Sequence, residues 1–117
     1  MDPLRRLLTN PEMERMLQVM DLMRVLDREV PAQVLACFFY IACHDGCHKT
    51  AMEEDLGLTT ASSSRNIDRL TKQHRLGKMG MGLITKEVDP LNKKRLVLKL
   101  SQKGHDLTSQ IESILYG

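Results

Sequence analysis

The stretch Lys49–Gln73, KTAMEEDLGLTTASSSRNIDRLTKQ, constrains the fold more than any other part of the chain. Thr50 followed by Glu53 has the T-x-x-E spacing of a capping box, which predicts a helix starting there. Gly57 suits the left-handed position just past a helix C-terminus. Thr59 is placed to cap a second helix running from Thr60 to about Gln73. In that helix Ile67 and Leu70 fall on the inward side, and Thr60, Ala61, Ser62, Ser64 and Arg65 on the outward side. A short helix, a glycine-containing turn and a second helix with a small, hydroxyl-rich outer face have the form of a helix-turn-helix over residues 49–73. Small side chains let a helix sink into a major groove, where bulky ones would hold it out. The same pattern fits an ordinary helical hairpin with one solvated face, so the choice rests on the segments C-terminal to it.

At 117 residues the chain is expected to form one domain, 1–117, with a modest single core. The 42% apolar and 27% charged shares are those of a globular chain. The longest apolar run, Val34–Cys43, is too short to span a bilayer, and Leu7–Leu8 beside Arg5 and Arg6 do not make a signal-peptide core. The expectation is a cytoplasmic protein with no membrane partner. Three cysteines, Cys37, Cys43 and Cys47, cannot all pair and read as reduced thiols. The net charge of +2 conceals a strong segregation. Between Arg65 and Lys99 ten basic residues face three acidic ones, so that segment carries +7 and the remainder −5. A basic block on an acidic body is the electrostatic footprint of a nucleic-acid binder, although lysine-rich loops also occur on other proteins.

Taken in order, Asp2-Pro3 and Asn10-Pro11 each place a capping residue before a proline at the first helical position. The first predicts a short turn through Leu8, the second a helix to about Glu29. Met13, Met16, Leu17, Met20, Met23 or Arg24, and Leu26 or Asp27 follow a three-and-four spacing, and Leu22 and Val25 widen the apolar stripe. Such a wide stripe suits packing on the chain's own core and on a second subunit, though methionine is also a flexible core filler. Pro31 restarts the chain into a helix from Ala32 to about His44 that is apolar nearly all round, as a central buried helix would be. After the helix-turn-helix, His74–Gly82 (HRLGKMGMG) reads as a flexible glycine loop without the phosphate-cradling order of a nucleotide-binding loop. Leu83–Val88 and Arg95–Leu100 read as two strands, with the polar tip Asp89-Pro90-Leu91-Asn92-Lys93-Lys94 between them. A basic hairpin over 83–100 directly after a helix-turn-helix has the form of a wing. Ser101 then caps a last helix with Leu107, Ile111 and Ile114 or Leu115 on its apolar side. The fold class expected is mainly α with a small β-hairpin wing, a winged helix-turn-helix.

Two stretches resemble the MarR family of winged-helix transcriptional regulators. Asp55–Leu70, DLGLTTASSSRNIDRL, is similar to that family's helix-turn-helix with its leucine-ended pattern. Asp89–Gly104, DPLNKKRLVLKLSQKG, is similar to its wing and following strand, D-P-x-D-x-R…L-T-x-x-G, and is the more specific of the two. Together they cover about a third of the chain. The resemblance implies a dimer held by the N- and C-terminal helices (here 1–30 and 101–117), recognition helices in successive major grooves, and wings reaching the minor-groove backbone. The chain departs from the family pattern in several places. Asn92 and Lys94 stand where the family has a wing Asp and Arg, which removes a support from the wing, and Arg95 is the residue left to take over the groove contact. Ser63 and Asn66 stand where the family has apolar residues, which predicts looser packing of the recognition helix. The glycine loop is longer than usual and the C-terminal helix shorter.

These readings nominate Thr60, Ala61, Ser62, Ser64 and Arg65 for the major groove, with Arg65 able to bond a guanine in bidentate fashion. Arg69, one turn further on, is expected at a phosphate or near Asp68, and Lys93, Lys94 and Arg95 on the wing. Cys43, His44, Cys47 and His48 carry metal-compatible side chains, but a second, separated pair is absent and neighbouring residues diverge, so no metal is expected. No nucleophile–base pair or paired carboxylates appear, and no cofactor or enzymatic activity is expected. Phe38, Phe39, Tyr40 and Tyr116 all lie outside the basic half, which argues against stacking on single strands and for double-stranded DNA. The expected function is a sequence-specific, dimeric, double-stranded DNA-binding transcriptional regulator, acting as a repressor. The rival reading is a winged-helix module that docks another protein. A small-molecule, thiol or protein effector is left open.

Overall fold

The computed structural model describes residues 10–72 and 79–117. The turn expected near Leu8, and the part of the glycine loop that includes His74 to Lys78, lie outside the described residues. Among the described residues, five helices and a small sheet succeed one another as α1 (Pro11–Leu26), α2 (Ala32–Cys43), β1 (Cys47–His48), α3 (Lys49–Leu56), α4 (Thr60–Leu70), β2 (Ile84–Asp89), β3 (Asn92–Leu100) and α5 (Gln102–Tyr116). The sheet is antiparallel in the order β1-β3-β2. The hairpin of β2 and β3 matches expectation, whereas β1 is an addition to it. Strand β1 pairs Cys47 with Leu98 and His48 with Val97.

Local chemistry explains most of the boundaries. The Asn10 side chain accepts from the Met13 amide at 3.2 Å and opens α1, with Pro11 at the first helical position. Thr59 accepts from the Ser62 amide at 3.1 Å, and Ser101 accepts from Gly104 at 3.0 Å. Gly57 ends α3 with φ 65° and ψ 40°, the left-handed geometry for which glycine carries no Cβ penalty. The capping box expected at Thr50 does not form. Helix α3 is capped two residues earlier, with His48 at the cap position and no side-chain cap. Glu53 turns instead to Lys49 Nζ, at 2.7 Å, and to the Ser63 hydroxyl.

The core is built where α2 lies under the helix-turn-helix and the sheet. Phe38, Ile41, Cys37 and Val34 of α2 are buried with Met52, Ile67 and Leu70 of the helix-turn-helix, and with Leu83, Ile84 and Leu98. Helix α1 covers this core with Val19 and Met23 rather than with its first turns. Met13, Met16 and Leu17 are exposed, as is Val25, so the methionine-rich end of the stripe projects away from the core. Leu107 and Ile111 of α5 complete the burial.

The end of the glycine loop is bound rather than flexible. The amides of Gly80, Met81, Gly82 and Leu83 donate to the carbonyls of Lys72, Arg69, Thr71 and Leu70 at 2.8–3.1 Å. They thereby satisfy the carbonyls that the last turn of α4 leaves open. The same segment serves the start of α5: Ser101 N donates to Leu83 O at 2.9 Å, Ser101 Oγ to Gly82 O at 2.6 Å, and Lys103 Nζ to Met81 O at 2.8 Å. Gly104 is buried against this segment. A Cβ there would stand 2.1 Å from the Leu83 carbonyl oxygen.

Candidate nucleic-acid interface

Helices α3 and α4 are joined by Gly57-Leu58-Thr59, the short turn of a helix-turn-helix. Thr60, Ala61 and Arg65 on α4 are exposed, as expected, and Ser64 is half-buried. Ser62 differs from expectation. It is half-buried, and its hydroxyl donates to Gln33 Oε1 at 2.9 Å. The same oxygen accepts from Asn66 Nδ2 at 3.1 Å, so Gln33 on α2 holds two residues of α4.

The inward polar residues Ser63 and Asn66 do not loosen the packing. Ser63 is fully buried, with its hydroxyl shared between Glu53 and the Thr60 carbonyl. Among the described residues no buried side-chain polar atom lacks a hydrogen-bond partner. Burial pushes the Glu53 carboxyl upward, but the hydrogen bonds from Lys49 and Ser63 and the Lys49 charge outweigh it, so its pKa lies below the ordinary value. Beneath Asn66, burial pushes the Cys37 thiol up to about 11, against a hydrogen bond with Asn66 that pulls it down. On the far side of α3, Asp55 Oδ2 accepts from the Tyr40 hydroxyl at 2.6 Å. That bond, more than desolvation, pushes the tyrosine up to about 12.

Arg69 is turned away from the exposed face of α4. Its Nε meets Asp27 Oδ2 at 2.7 Å, and its guanidinium also donates to the Glu29 carbonyl at 3.3 Å. These contacts tie the last turn of α4 to the connection between α1 and α2.

The wing differs in shape from its expected outline. Strand β3 already begins at Asn92, and the tip is only Pro90-Leu91. Asp89 pairs with Asn92 and Val88 with Leu96, so one step along β2 is matched by four along β3. The residues left over are Lys93, Lys94 and Arg95, all exposed. A bulge of this kind re-aims the side chains it carries, here three consecutive cations. In place of an Asp–Arg pair, His48 Nε2 is hydrogen bonded to Asp89 Oδ2 at 2.8 Å, which ties β1 to the end of β2. Asp89 Oδ1 also accepts from the Leu91 amide at 2.8 Å. The Leu91 amide first, and His48 after it, hold the Asp89 carboxyl below its ordinary pKa. Further down the hairpin, Lys86 Nζ lies 3.5 Å from Asp68 Oδ1 on α4, so the wing is linked to the helix-turn-helix.

The cysteine–histidine cluster is dispersed. His48 faces Asp89, the His44 ring lies against Tyr40 with centroids 4.7 Å apart, Cys43 is exposed and Cys47 half-buried. Among the described residues no three His, Cys, Asp or Glu side chains are grouped to hold a metal ion, and no helix is long and apolar enough to cross a membrane.

Gln33, Lys49, Glu53 and His48 belong to this site although sequence patterns do not nominate them as site residues. The lysine and glutamate four residues apart are the one readable pattern. Gln33 acts across the fold and leaves no local pattern, and the pattern that includes His48, the cysteine–histidine cluster, does not point to its partner Asp89.

No protein-family model and no curated protein matches the chain. Solved structures do. Staphylococcus aureus MepR in complex with DNA superposes with a TM-score of 0.66 at 20% identity, over 86% of this chain and 76% of that one. A MarR-like transcriptional regulator from Thermotoga maritima matches with a TM-score of 0.62 at 20% identity, over 99% of this chain and 77% of that one. Wild-type apo MarR from Escherichia coli also matches with a TM-score of 0.62, at 18% identity, over 98% and 78% of the two chains. The order of the helices, the three-stranded sheet and the bulged hairpin therefore give this chain the winged helix-turn-helix fold of the MarR transcriptional regulators.

Proposed function

We propose that this chain is a sequence-specific, double-stranded DNA-binding regulator of transcription that works as a homodimer and represses by occluding its site. One observation carries the reading. The exposed Thr60, Ala61 and Arg65 face of α4 is linked through Asp68–Lys86 to a hairpin that bulges out three consecutive cations. Helix α4 then enters the major groove, with Arg65 as the base reader and Thr60, Ala61 and Ser64 as the close-approach surface. Lys93, Lys94 and Arg95 neutralise phosphates beside the minor groove, which supplies affinity without sequence preference. Ser62 and Arg69 act mainly by holding α4, through Gln33 and Asp27. MepR, a protein of this fold, is solved with DNA, in keeping with this assignment.

The dimer is supported by the apolar surface of the terminal helices. Met13, Met16, Leu17 and Val25 on α1, with Leu115 and Tyr116 on α5, are exposed. An apolar surface of this kind is covered more favourably than left wet. Two recognition helices about one turn of DNA apart, ~34 Å, would read a roughly palindromic site.

The test is selection of bound duplexes from a random pool at near-physiological salt, with the mass of the free protein measured in parallel. A palindromic consensus bound at least ~10³-fold better than random duplex by a dimer is the expected result. A monomer that binds all duplexes alike would overturn the reading in favour of a protein-docking module.

A further inference from the structure

We propose that Leu91, at the point of the wing, presses on the floor of the minor groove and discriminates against the exocyclic amino group of guanine. The proposal rests on the DNA-binding reading and gives the wing a sequence preference of its own.

Leu91 is 95% exposed, the most exposed of the large apolar side chains among the described residues, and with Pro90 it forms the tip of the hairpin. An isolated surface leucine needs no explanation. This one is held in place. Its amide donates to Asp89 Oδ1 at 2.8 Å, and the other oxygen of that carboxylate is bonded to His48. Pro90 restricts the backbone on one side. On the other, Asn92 Oδ1 accepts from the Lys94 amide at 3.1 Å. Little backbone freedom is left to lose when the tip is seated. Next to it on β3 stand Lys93, Lys94 and Arg95, three exposed cations carried by the bulge.

Charge selects the occupant. Three neighbouring cations complement the phosphates that line a groove. A minor groove about 6 Å wide is too narrow for a pair of strands but admits a single side chain, so Leu91 can reach in from the tip while the hairpin stays outside. The chemistry of the floor then supplies selectivity. A·T pairs present only the adenine N3 and thymine O2 acceptors there, whereas a G·C pair adds the guanine N2 amino donor. A leucine side chain laid over that amino group strips its water and offers no acceptor in return.

The experiment uses the full chain and the duplex chosen by random-pool selection, with the pairs under the wing set in turn to A·T, G·C and inosine·C. Inosine·C keeps the major-groove face of G·C but lacks the amino group. We expect the A·T and inosine·C duplexes to bind equally and the G·C duplex about tenfold more weakly, the size of one partly desolvated donor. Leu91→Ala should bring the three within about twofold while keeping the preference at the positions read by α4. Leu91→Asn, which supplies an acceptor, should also remove the G·C penalty. Equal binding of G·C and inosine·C by the unaltered chain, or a full tenfold difference that survives in Leu91→Ala, would overturn the proposal and leave the DNA-binding reading intact. Failure to select any consensus would overturn both. Binding to phosphatidylserine vesicles that is lost in Leu91→Ala, without change in DNA affinity, would assign the tip to a lipid surface instead.

Discussion

Replacing Glu53 by alanine tests whether the polar contacts beneath α4 hold the helix-turn-helix together. The Glu53 carboxylate receives Lys49 Nζ at 2.7 Å and the Ser63 hydroxyl, with the Lys49 and Glu53 side chains 13% and 12% exposed. A solvated i,i+4 ion pair contributes only about 0.3–0.5 kcal/mol. Breaking a fully buried pair costs about 3–5 kcal/mol, because the surviving charge is stranded. This pair lies between these limits. Lys49 can still reach water along its exposed edge, and the Ser63 hydroxyl retains the Thr60 carbonyl at 3.1 Å. The expected loss is about 2–3 kcal/mol. With an unfolding entropy near 0.25 kcal/mol/K for a chain of this size, the melting temperature should fall by about 8–12 °C. Thermal and urea unfolding followed by helical circular dichroism at pH 7 would measure it. A double-mutant cycle with Ser63→Ala should show a coupling of about 1–2 kcal/mol. The folded-state pKa of Glu53 is lowered, so its contribution is complete above the ordinary carboxylate value and is lost as pH falls through the folded value. The gap between the variant and the unaltered chain should therefore narrow on acidification. A fall of less than about 3 °C at pH 7, or a gap that widens in acid, would refute this account of the pair.

Three other perturbations have defined outcomes. Gly104→Ala would gain about 1 kcal/mol at an exposed helix position, but here the added methyl meets Leu83 O at 2.1 Å and Leu100 Cδ2 at 3.2 Å. A net loss of about 2 kcal/mol in urea unfolding is expected, and any gain in stability would show that the contact yields freely. Arg69→Ala should lower stability by about 1 kcal/mol, since both partners are partly solvated, and weaken all duplexes by one factor. A change of preference at a single base pair would instead make Arg69 a base reader. Arg65→Ala should cost about 1–3 kcal/mol of binding and relax one position of the consensus, while Lys94→Ala with Arg95→Ala should weaken all duplexes and reduce the salt slope by about two. Equal losses on every duplex for Arg65→Ala would remove it from the groove floor.

The parts of this fold that are legible in the sequence are those fixed within one turn of chain. Asn10, Thr59 and Ser101 cap because the groups they satisfy lie three residues away, and Gly57 turns because its own backbone must. The helix-turn-helix, the hairpin and the exposure of Arg65 come from such local chemistry with periodicity. The features that escape a sequence reading depend on residues distant in the chain. Glu53 abandons a local cap for Ser63, ten residues on, and Arg69 finds Asp27 forty-two residues back. A two-residue strand such as β1 has no period to read, and its partner lies some fifty residues further along the chain. The loosening expected from Ser63 and Asn66 fails because partners for both are supplied by α2 and α3. On α1 the spacing marks an apolar stripe correctly but cannot show where along it the core ends, between Leu17 and Val19.

The segment from Gly80 to Leu83 has a mechanical consequence. Its amides hold the last turn of α4, while the carbonyls of Met81, Gly82 and Leu83 hold the first turn of α5. Backbone hydrogen bonds tolerate only a few tenths of an ångström of stretch before they weaken, so this splice has almost no slack. A tilt imposed on α5 near its start would be passed to α4 as displacement rather than absorbed in a loop. In a dimer built on the terminal helices, the distance between the two reading heads would then be set by the same joint, with each chain acting as a stiff crank around it.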